Sequence, residues 1–309
     1  MRTFGEIRLD SRSKPSPSVL VTGAHGFTGY YVDDALRQAG MRVLATCAHD
    51  DGSNADAITL DIMDIEQCRR VIDQHRPDYI LHLAAISFVA HADAEAFYRV
   101  NVIGTLNLLQ ACADTDHTPA KIVMASSANV YGNACEGVIA ESQPPLPVNH
   151  YATSKIAMEF MVRTWFERFP IVITRPFNYT GRGQANHFLV PKIVSHFRKR
   201  APVIELGNLD VARDFSDVRT VAQAYLGLLQ SDVAGEIVNI CSGRQQTLRE
   251  IVFAMEQIAA YPIEVQVNPA FVRANEVRTL VGSSEKLDRL VPNLFRPDFK
   301  ETLRWMFER

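Results

Sequence analysis

Thr22-Gly23-Ala24-His25-Gly26-Phe27-Thr28-Gly29 follows directly on the apolar run Val19-Leu20-Val21, and this octapeptide governs the reading of the whole chain. Three glycines spaced three apart, between an apolar strand and an amphipathic stretch, bring backbone N–H groups and the positive end of a helix to one point. A side chain in such a turn would hold a diphosphate away from those groups. A glycine triplet alone also fits a plain tight turn. Its place after the first strand and before the first helix favours a dinucleotide loop.

Outward from the loop, short apolar runs alternate with helical patterns. Arg42 to Cys47, Ile58 to Leu60, Tyr79 to Leu83, Lys121 to Ala125, Ile171 to Thr174 and Glu236 to Cys241 read as strands. Between them, Phe27 to Ala39 (ended by Gly40), Asp64 to His75, Asp93 to Cys112, His150 to Phe169 and Val218 to Leu229 read as helices. Strands that are apolar throughout and separated by helices are buried on both faces. The fold class expected is α/β, a doubly wound parallel sheet of the Rossmann type with a smaller C-terminal substrate-binding domain.

Past Pro176 the pattern changes to a Gly- and Asn-rich loop, a helix ending in Arg198-Lys199-Arg200, a strand Val203 to Leu206 and a mixed region closed by the amphipathic Phe299 to Phe307. The expected division is therefore a flexible tail over residues 1–18, rich in Ser, Pro and Arg, a dinucleotide-binding domain over 19–175 plus 214–242, and a substrate domain over 176–213 plus 243–309.

Composition narrows the class. A chain of 309 residues supports well-buried cores without disulfide staples. Lys+Arg 32 against Asp+Glu 35 gives a net charge of −3, which argues against nucleic-acid and anionic-membrane partners, since both are met by clustered basic charge. No apolar run approaches the roughly 18–20 residues that span a bilayer, and the polar start has no signal-peptide core, so a cytoplasmic location is expected. The five cysteines form no C-x-x-C pair and the nine histidines no H-E-x-x-H, so no metal site is expected.

Two further elements carry chemistry. Tyr151-Ala152-Thr153-Ser154-Lys155 sits at a helix start, where a spacing of four puts phenol and ammonium on one face. A nearby cation favours the phenolate and lowers a tyrosine pKa from about 10. The result suits proton transfer to or from an alcohol/ketone pair. Ser126 and Ser127 follow the strand Lys121 to Ala125, at the strand end where ligands bind in such sheets, and a hydroxyl there can stabilise an oxygen gaining charge. Each element alone has a plain reading, a solvated helix face and a serine turn.

Together the three resemble the short-chain dehydrogenase/reductase superfamily of extended type, the NAD-dependent epimerases and dehydratases, from Val19 to near the C-terminus. Leu81-His82-Leu83-Ala84-Ala85, Asn101-Val102-Ile103-Gly104-Thr105, Arg175-Pro176-Phe177-Asn178-Tyr179-Thr180-Gly181, Arg213-Asp214-Phe215 and Asn239-Ile240-Cys241-Ser242-Gly243 extend the match. The resemblance implies Tyr151 as general acid/base, Lys155 on the nicotinamide ribose and Ser127 as the catalytic hydroxyl, with Ser126 as the neighbouring alternative. It implies Gly23, Gly26 and Gly29, with Phe27 and Thr28, on the pyrophosphate, Asp61 and Ile62 at the adenine, and Leu83, Ala84, Ala85, Asn101 and Pro176 along the cofactor groove. After Arg42 to Cys47 no acid or arginine selects the ribose 2′ group, so both NADP(H) and NAD(H) remain open.

The stretch from Arg175 to Gln184 is similar to that of the GDP-4-dehydro-6-deoxy-D-mannose reductases and, next to them, the GDP-mannose 4,6-dehydratases. A 4,6-dehydratase places an acid, usually Glu, two residues after the catalytic hydroxyl; here Ala128 and Asn129 follow Ser127, and an amide does not titrate. Reduction of the C4 ketone of a GDP-4-keto-6-deoxy sugar is therefore the expected reaction. A nucleotide-sugar 4-epimerase needs the same catalytic set and stays as the alternative. A non-catalytic dinucleotide-binding regulator stays as a further one, against which both Tyr151 and Lys155 are present.

For the GDP-sugar, the resemblance implies Arg213 and Arg278 on the diphosphate, Asn178 beside it, Glu276 at a ribose, Val190 and Lys192 at the base, and Ser87 and Ser127 at the sugar. The helices Asp93 to Cys112 and His150 to Phe169 correspond to those that pair in family homodimers through a four-helix bundle.

Overall fold

The computed structural model describes residues 16–48, 57–87, 93–132, 137–271 and 279–308. The expected tail falls almost wholly on residues 1–15, outside that set, while Ser18, its last residue, is already the first residue of a strand. Seven parallel strands form the main sheet: β1 (Ser18–Thr22), β2 (Arg42–Cys47), β3 (Ile58–Thr59), β4 (Tyr79–His82), β5 (Lys121–Ala125), then, after the short β6 (Val138–Ile139), β7 (Ile171–Pro176) and, later in the chain, β11 (Glu236–Ile240). Their order is β11-β7-β5-β4-β1-β2-β3. The order reverses at β1, which pairs with β2 on one side and β4 on the other. Such a switch point opens a crevice at the strand C-termini.

Both faces are covered because the strands are apolar throughout. On one face lie α1 (Phe27–Gln38) and α7 (Val218–Gln230), through Val32, Ala35, Leu36, Val221, Tyr225 and Leu228. On the other lie α2 (Ile65–His75), α4 (Thr105–Asp114) and α5 (His150–Arg163), through Cys68, Ile72, Leu108, Leu109, Met158 and Val162. Helix α2 starts where Asp64 Oδ1 accepts from the Glu66 and Gln67 N–H groups at 2.9 and 3.1 Å, and stops at Arg76 in the left-handed region (φ 38°), just ahead of Pro77.

Two helices differ from expectation. The stretch read as one helix over Asp93 to Cys112 divides into α3 (Ala94–Tyr98), a π-helical turn Arg99–Gly104 and α4. The wide turn lies where the Asn101 side chain bonds the main chain of Ile86 and where Gly104 presses on Ile62; a Cβ on Gly104 would lie 2.7 Å from Ile62 Cδ1. Helix α5 ends at Arg163, not Phe169. Thr164 turns its hydroxyl back to the Met161 carbonyl at 2.7 Å, the chain continues in i→i+3 turns, and Pro170 disfavours helix at the residue before it.

Beyond β7 the chain adds β8 (Asn178–Thr180), α6 (Leu189–Arg198), β9 (Val203–Leu206), β10 (Ala212–Asp217), β12 (Gln245–Thr247), α8 (Leu248–Ala259), β13 (Glu264–Val267), β14 (Thr279–Gly282), α9 (Glu285–Leu290) and α10 (Phe299–Phe307). Helices α6, α8 and α10 share a separate apolar cluster with Ile204, Leu206 and Phe215. Strand β8 pairs with β10 in parallel, Phe215 opposite Asn178, so the chain leaving the main sheet at Pro176 is tied at once to this second layer.

Candidate active site

The glycine loop is built by steric necessity at two of its three glycines. Gly23 has φ +71°, and a Cβ there would lie 2.8 Å from the Ala84 nitrogen; a Cβ on Gly29 would lie 2.3 Å from the Ala24 carbonyl oxygen. The ends of β1 and β4, and the start of α1 against its loop, can approach only without those side chains. Gly26 is the N-cap of α1 and carries no side-chain cap, and the first turn holds no acid. An N-terminus of this kind presents N–H groups and the positive helix end to an anion, which fits a pyrophosphate.

The side chains of Phe27 and Thr28 point to β8 instead. Phe27 stacks on Tyr179, ring centroids 6.1 Å apart and 9° between planes, and the Thr28 and Tyr179 hydroxyls share a hydrogen bond of 2.7 Å. Leu83, Ala84 and Ala85 follow β4 half-buried, and Pro176 ends β7 in the same state. Asp61 Oδ1 accepts from the Met63 N–H at 2.9 Å, and Ile62 is buried beneath Gly104.

Asn101 is almost fully buried and completely engaged. Its Oδ1 accepts from Ile86 N–H at 2.9 Å, and its Nδ2 donates to Ile86 O at 3.2 Å and to Ser154 Oγ at 3.0 Å. Beside it, His82 holds hydrogen bonds to Thr22 Oγ1 at 2.7 Å and Thr105 Oγ1 at 2.9 Å. Burial, with the Lys155 charge adding to it, pushes His82 down to about 3, so the ring is neutral. The sequence reading gives His82 no role. A histidine inside an otherwise apolar buried strand is the signal that marks it.

At the end of β5 the two serines part company. Ser126 donates to Glu159 Oε1 at 2.6 Å, and Glu159 is clasped by Arg175 through Nε at 2.9 Å and Nη2 at 2.6 Å, all three buried. Ser126 is thereby committed to an ion pair. Ser127 is the one on the Tyr151 side, where its hydroxyl opposes the rise of the phenol's pKa. Its Oγ also accepts from Asn129, from the backbone N–H at 3.2 Å and from Nδ2 at 3.1 Å.

Tyr151 departs from the spacing argument. Burial pushes its phenol up to about 12, opposed by the Ser127 hydrogen bond and reinforced by Tyr179. The expected lowering by the Lys155 cation is absent, because Lys155 Nζ donates to the Ala125 carbonyl at 2.7 Å. Burial lowers Lys155 itself to about 8, with Glu159 one turn away opposing. What these three residues can do is present two hydroxyls, Ser127 and Tyr151, at a strand end together with the buried Lys155 ammonium.

Of the residues expected at the substrate, Ser87 is exposed just past β4. Asn178 is exposed on β8, its Nδ2 donating to Asp214 O at 3.3 Å. Arg213 lies half-buried on β10 with Nη1 on the Ala212 carbonyl at 2.8 Å. Of the two residues expected at the base, Val190 is 2% exposed inside the α6–α8–α10 cluster, and Lys192 reaches the Glu205 carbonyl at 2.7 Å and the Phe271 ring at 4.5 Å. Both are held by the packing of α6 on β9. Glu276 and Arg278 lie outside the described residues.

Comparison with known proteins agrees with this arrangement. The model of the NAD dependent epimerase/dehydratase family matches residues 19–241. A GDP-6-deoxy-D-talose 4-dehydrogenase of Aggregatibacter actinomycetemcomitans is 34% identical, over 90% of this chain and 92% of its own. A GDP-6-deoxy-D-mannose reductase of Pseudomonas aeruginosa is 36% identical over 68% of this chain and 73% of its own. The structure of RMD from Pseudomonas aeruginosa complexed with NADPH superposes with a TM-score of 0.84 at 29% identity, covering 94% of this chain and 98% of its own. The chain, with its glycine loop on β1 and its switch-point crevice, therefore belongs to the NAD dependent epimerase/dehydratase family.

Proposed function

We propose that the chain reduces the C4 ketone of a GDP-4-keto-6-deoxy sugar at the expense of NADPH or NADH. The observation that carries the reading is Ser127 at the end of β5 on the Tyr151 side, followed by Ala128 and Asn129 where a 4,6-dehydratase needs an acid. This set moves one proton at one oxygen and has no base for a proton at C5. The names of the two relatives, both GDP-6-deoxyhexose oxidoreductases, support the substrate class. Talose and mannose are C4 epimers, so ketone reduction from opposite faces leads to the two sugars.

In this reading Tyr151 donates its proton to the C4 oxygen and Ser127 hydrogen-bonds the same oxygen as charge develops on it. A nicotinamide dinucleotide, when bound, supplies the hydride. Gly23, Gly26 and Gly29 with the first turn of α1 hold its pyrophosphate, Lys155 its ribose, and Leu83, Ala84, Ala85, Asp61, Ile62, Asn101 and Pro176 line its path. The substrate diphosphate falls to Arg213 and Arg278, with Asn178, Glu276 and Ser87 around the sugar. Residues 19–175 plus 214–242 serve the dinucleotide, and 176–213 plus 243–309 the nucleotide sugar. The side-chain cluster of α6, α8 and α10 supports a separate substrate layer.

We further propose a homodimer through the helices around Asn101 and α5, supported by the exposed apolar side chains of Ile103 and Phe160 on these segments. Among the described residues no helix is long and apolar enough to cross a membrane; a cytoplasmic place, supplying activated deoxysugar for polysaccharide, follows as part of the proposal. The test is incubation with GDP-4-dehydro-6-deoxy-D-mannose and NADPH or NADH. Loss of nicotinamide absorbance with formation of a GDP-6-deoxyhexose supports the reading; no loss with either cofactor overturns it. A 4-keto product from GDP-mannose and NADP would assign the dehydratase reaction instead.

A further inference from the structure

Asn129 stands on a 3-10 turn, residues Ala128–Tyr131, whose N-cap is Ser127. Its backbone N–H reaches Ser127 Oγ at 3.2 Å and its side-chain Nδ2 reaches the same atom at 3.1 Å. A serine hydroxyl has two acceptor lone pairs and one proton. With both lone pairs taken by Asn129, Ser127 can only donate. Its proton is left over for a group on the Tyr151 side, where Ser127 acts on the phenol. Ser126 cannot substitute, since its hydroxyl is committed to Glu159 at 2.6 Å. The Asn129 side chain is exposed, and among the described residues its amide bonds Ser127 alone.

We propose that Asn129 is a positioning residue that fixes Ser127 as an obligate hydrogen-bond donor to the reacting oxygen. The proposal rests on the C4-reductase reading. A carboxylate at this position would accept the Ser127 proton and turn the hydroxyl away from the substrate oxygen; an alanine would leave one lone pair open and the proton free to rotate. The backbone N–H remains in every variant, so one of the two restraints persists. The chemistry therefore ranks the variants by hydrogen-bonding character and not by atoms removed.

The experiment compares wild type, Asn129→Asp and Asn129→Ala in steady-state reduction of GDP-4-dehydro-6-deoxy-D-mannose near neutral pH, with a thermal melt of each. Loss of an oxyanion donor costs about 100-fold or more in kcat, and the Asp variant should approach that loss with KM changed less than about threefold and an unchanged melt. The Ala variant should lose less, roughly tenfold or below, because a rotating serine still donates part of the time. An Ala variant as slow as or slower than the Asp variant, or both at the wild-type kcat, overturns the proposal. Wild type without turnover overturns the C4-reductase reading itself, and is distinguished by being seen before any variant is compared.

Discussion

The hydroxyls of Thr28 and Tyr179 lie 2.7 Å apart, joining the first turn of the helix after the glycine loop to strand β8, which leads into the second layer. The Phe27 ring stacks on Tyr179 beside this bond. Breaking it should cost about 1 kcal/mol, the usual net worth of a hydrogen bond between neutral groups. Thr28→Val and Tyr179→Phe should each lower the unfolding free energy from urea titration by that amount, and the double variant should be no less stable than either alone. Fully additive losses in the double-mutant cycle would show that the two hydroxyls act independently.

The neighbouring serines should separate stability from turnover. Ser126→Ala removes a donor to the buried Glu159 carboxylate, which then relies on Arg175 alone. Hydrogen bonds to buried charges are worth about 1.5–3 kcal/mol, and the unfolding free energy should fall within that range while kcat stays within a few-fold. Ser127→Ala should do the reverse, lowering kcat about 100-fold with little change in stability. Denaturant unfolding and steady-state rates on both variants decide it.

The parallel sheet is readable in sequence because its strands are local, apolar and separated by strong helix patterns; the bounds of Arg42–Cys47, Lys121–Ala125 and Phe299–Phe307 coincide with the elements observed. The π turn at Asn101 is not readable, since it accompanies bonds to Ile86 and Ser154, 15 and 53 residues away, that no local periodicity carries. The same holds for the serines, identical as turn residues until Glu159, 33 positions on, claims one of them. Spacing brings Tyr151 and Lys155 to one helix face, but the Ala125 carbonyl sets where the ammonium goes. The cluster that buries Val190 joins α6 to α8 and α10, elements far apart in the chain, so its packing is likewise not local.

Tyr151→Phe tests the proton donor. The variant keeps the ring that packs on Phe97 at 6.0 Å between centroids and loses only the hydroxyl. General acid catalysis contributes about 10²–10⁴-fold, and kcat should fall by at least the lower figure. NADPH affinity, read by fluorescence titration, should change less than threefold, about 0.6 kcal/mol, because the phenol is not among the groups assigned to the pyrophosphate. An unchanged kcat would contradict the role.

His82 predicts a pH dependence of stability with a definite sign. Burial holds its folded-state value near about 3, against about 6.5 for a free imidazole. Between those values the unfolded chain binds a proton that the folded chain refuses, so the contribution is fully present above about pH 6.5 and is lost as pH falls toward 3. The slope for one such proton is about 1.4 kcal/mol per pH unit. His82→Gln keeps a neutral polar side chain but cannot reproduce both bonds to Thr22 and Thr105, so it should be less stable than wild type at pH 7.5. Its loss on acidification should be shallower, because the other titrating groups are shared and only the imidazole has been removed. Urea unfolding at steps from pH 7.5 to 4.5 should therefore give two curves that converge as pH falls. Parallel curves would mean that the folded protein takes up the His82 proton as readily as the unfolded chain, so that burial does not hold the imidazole neutral.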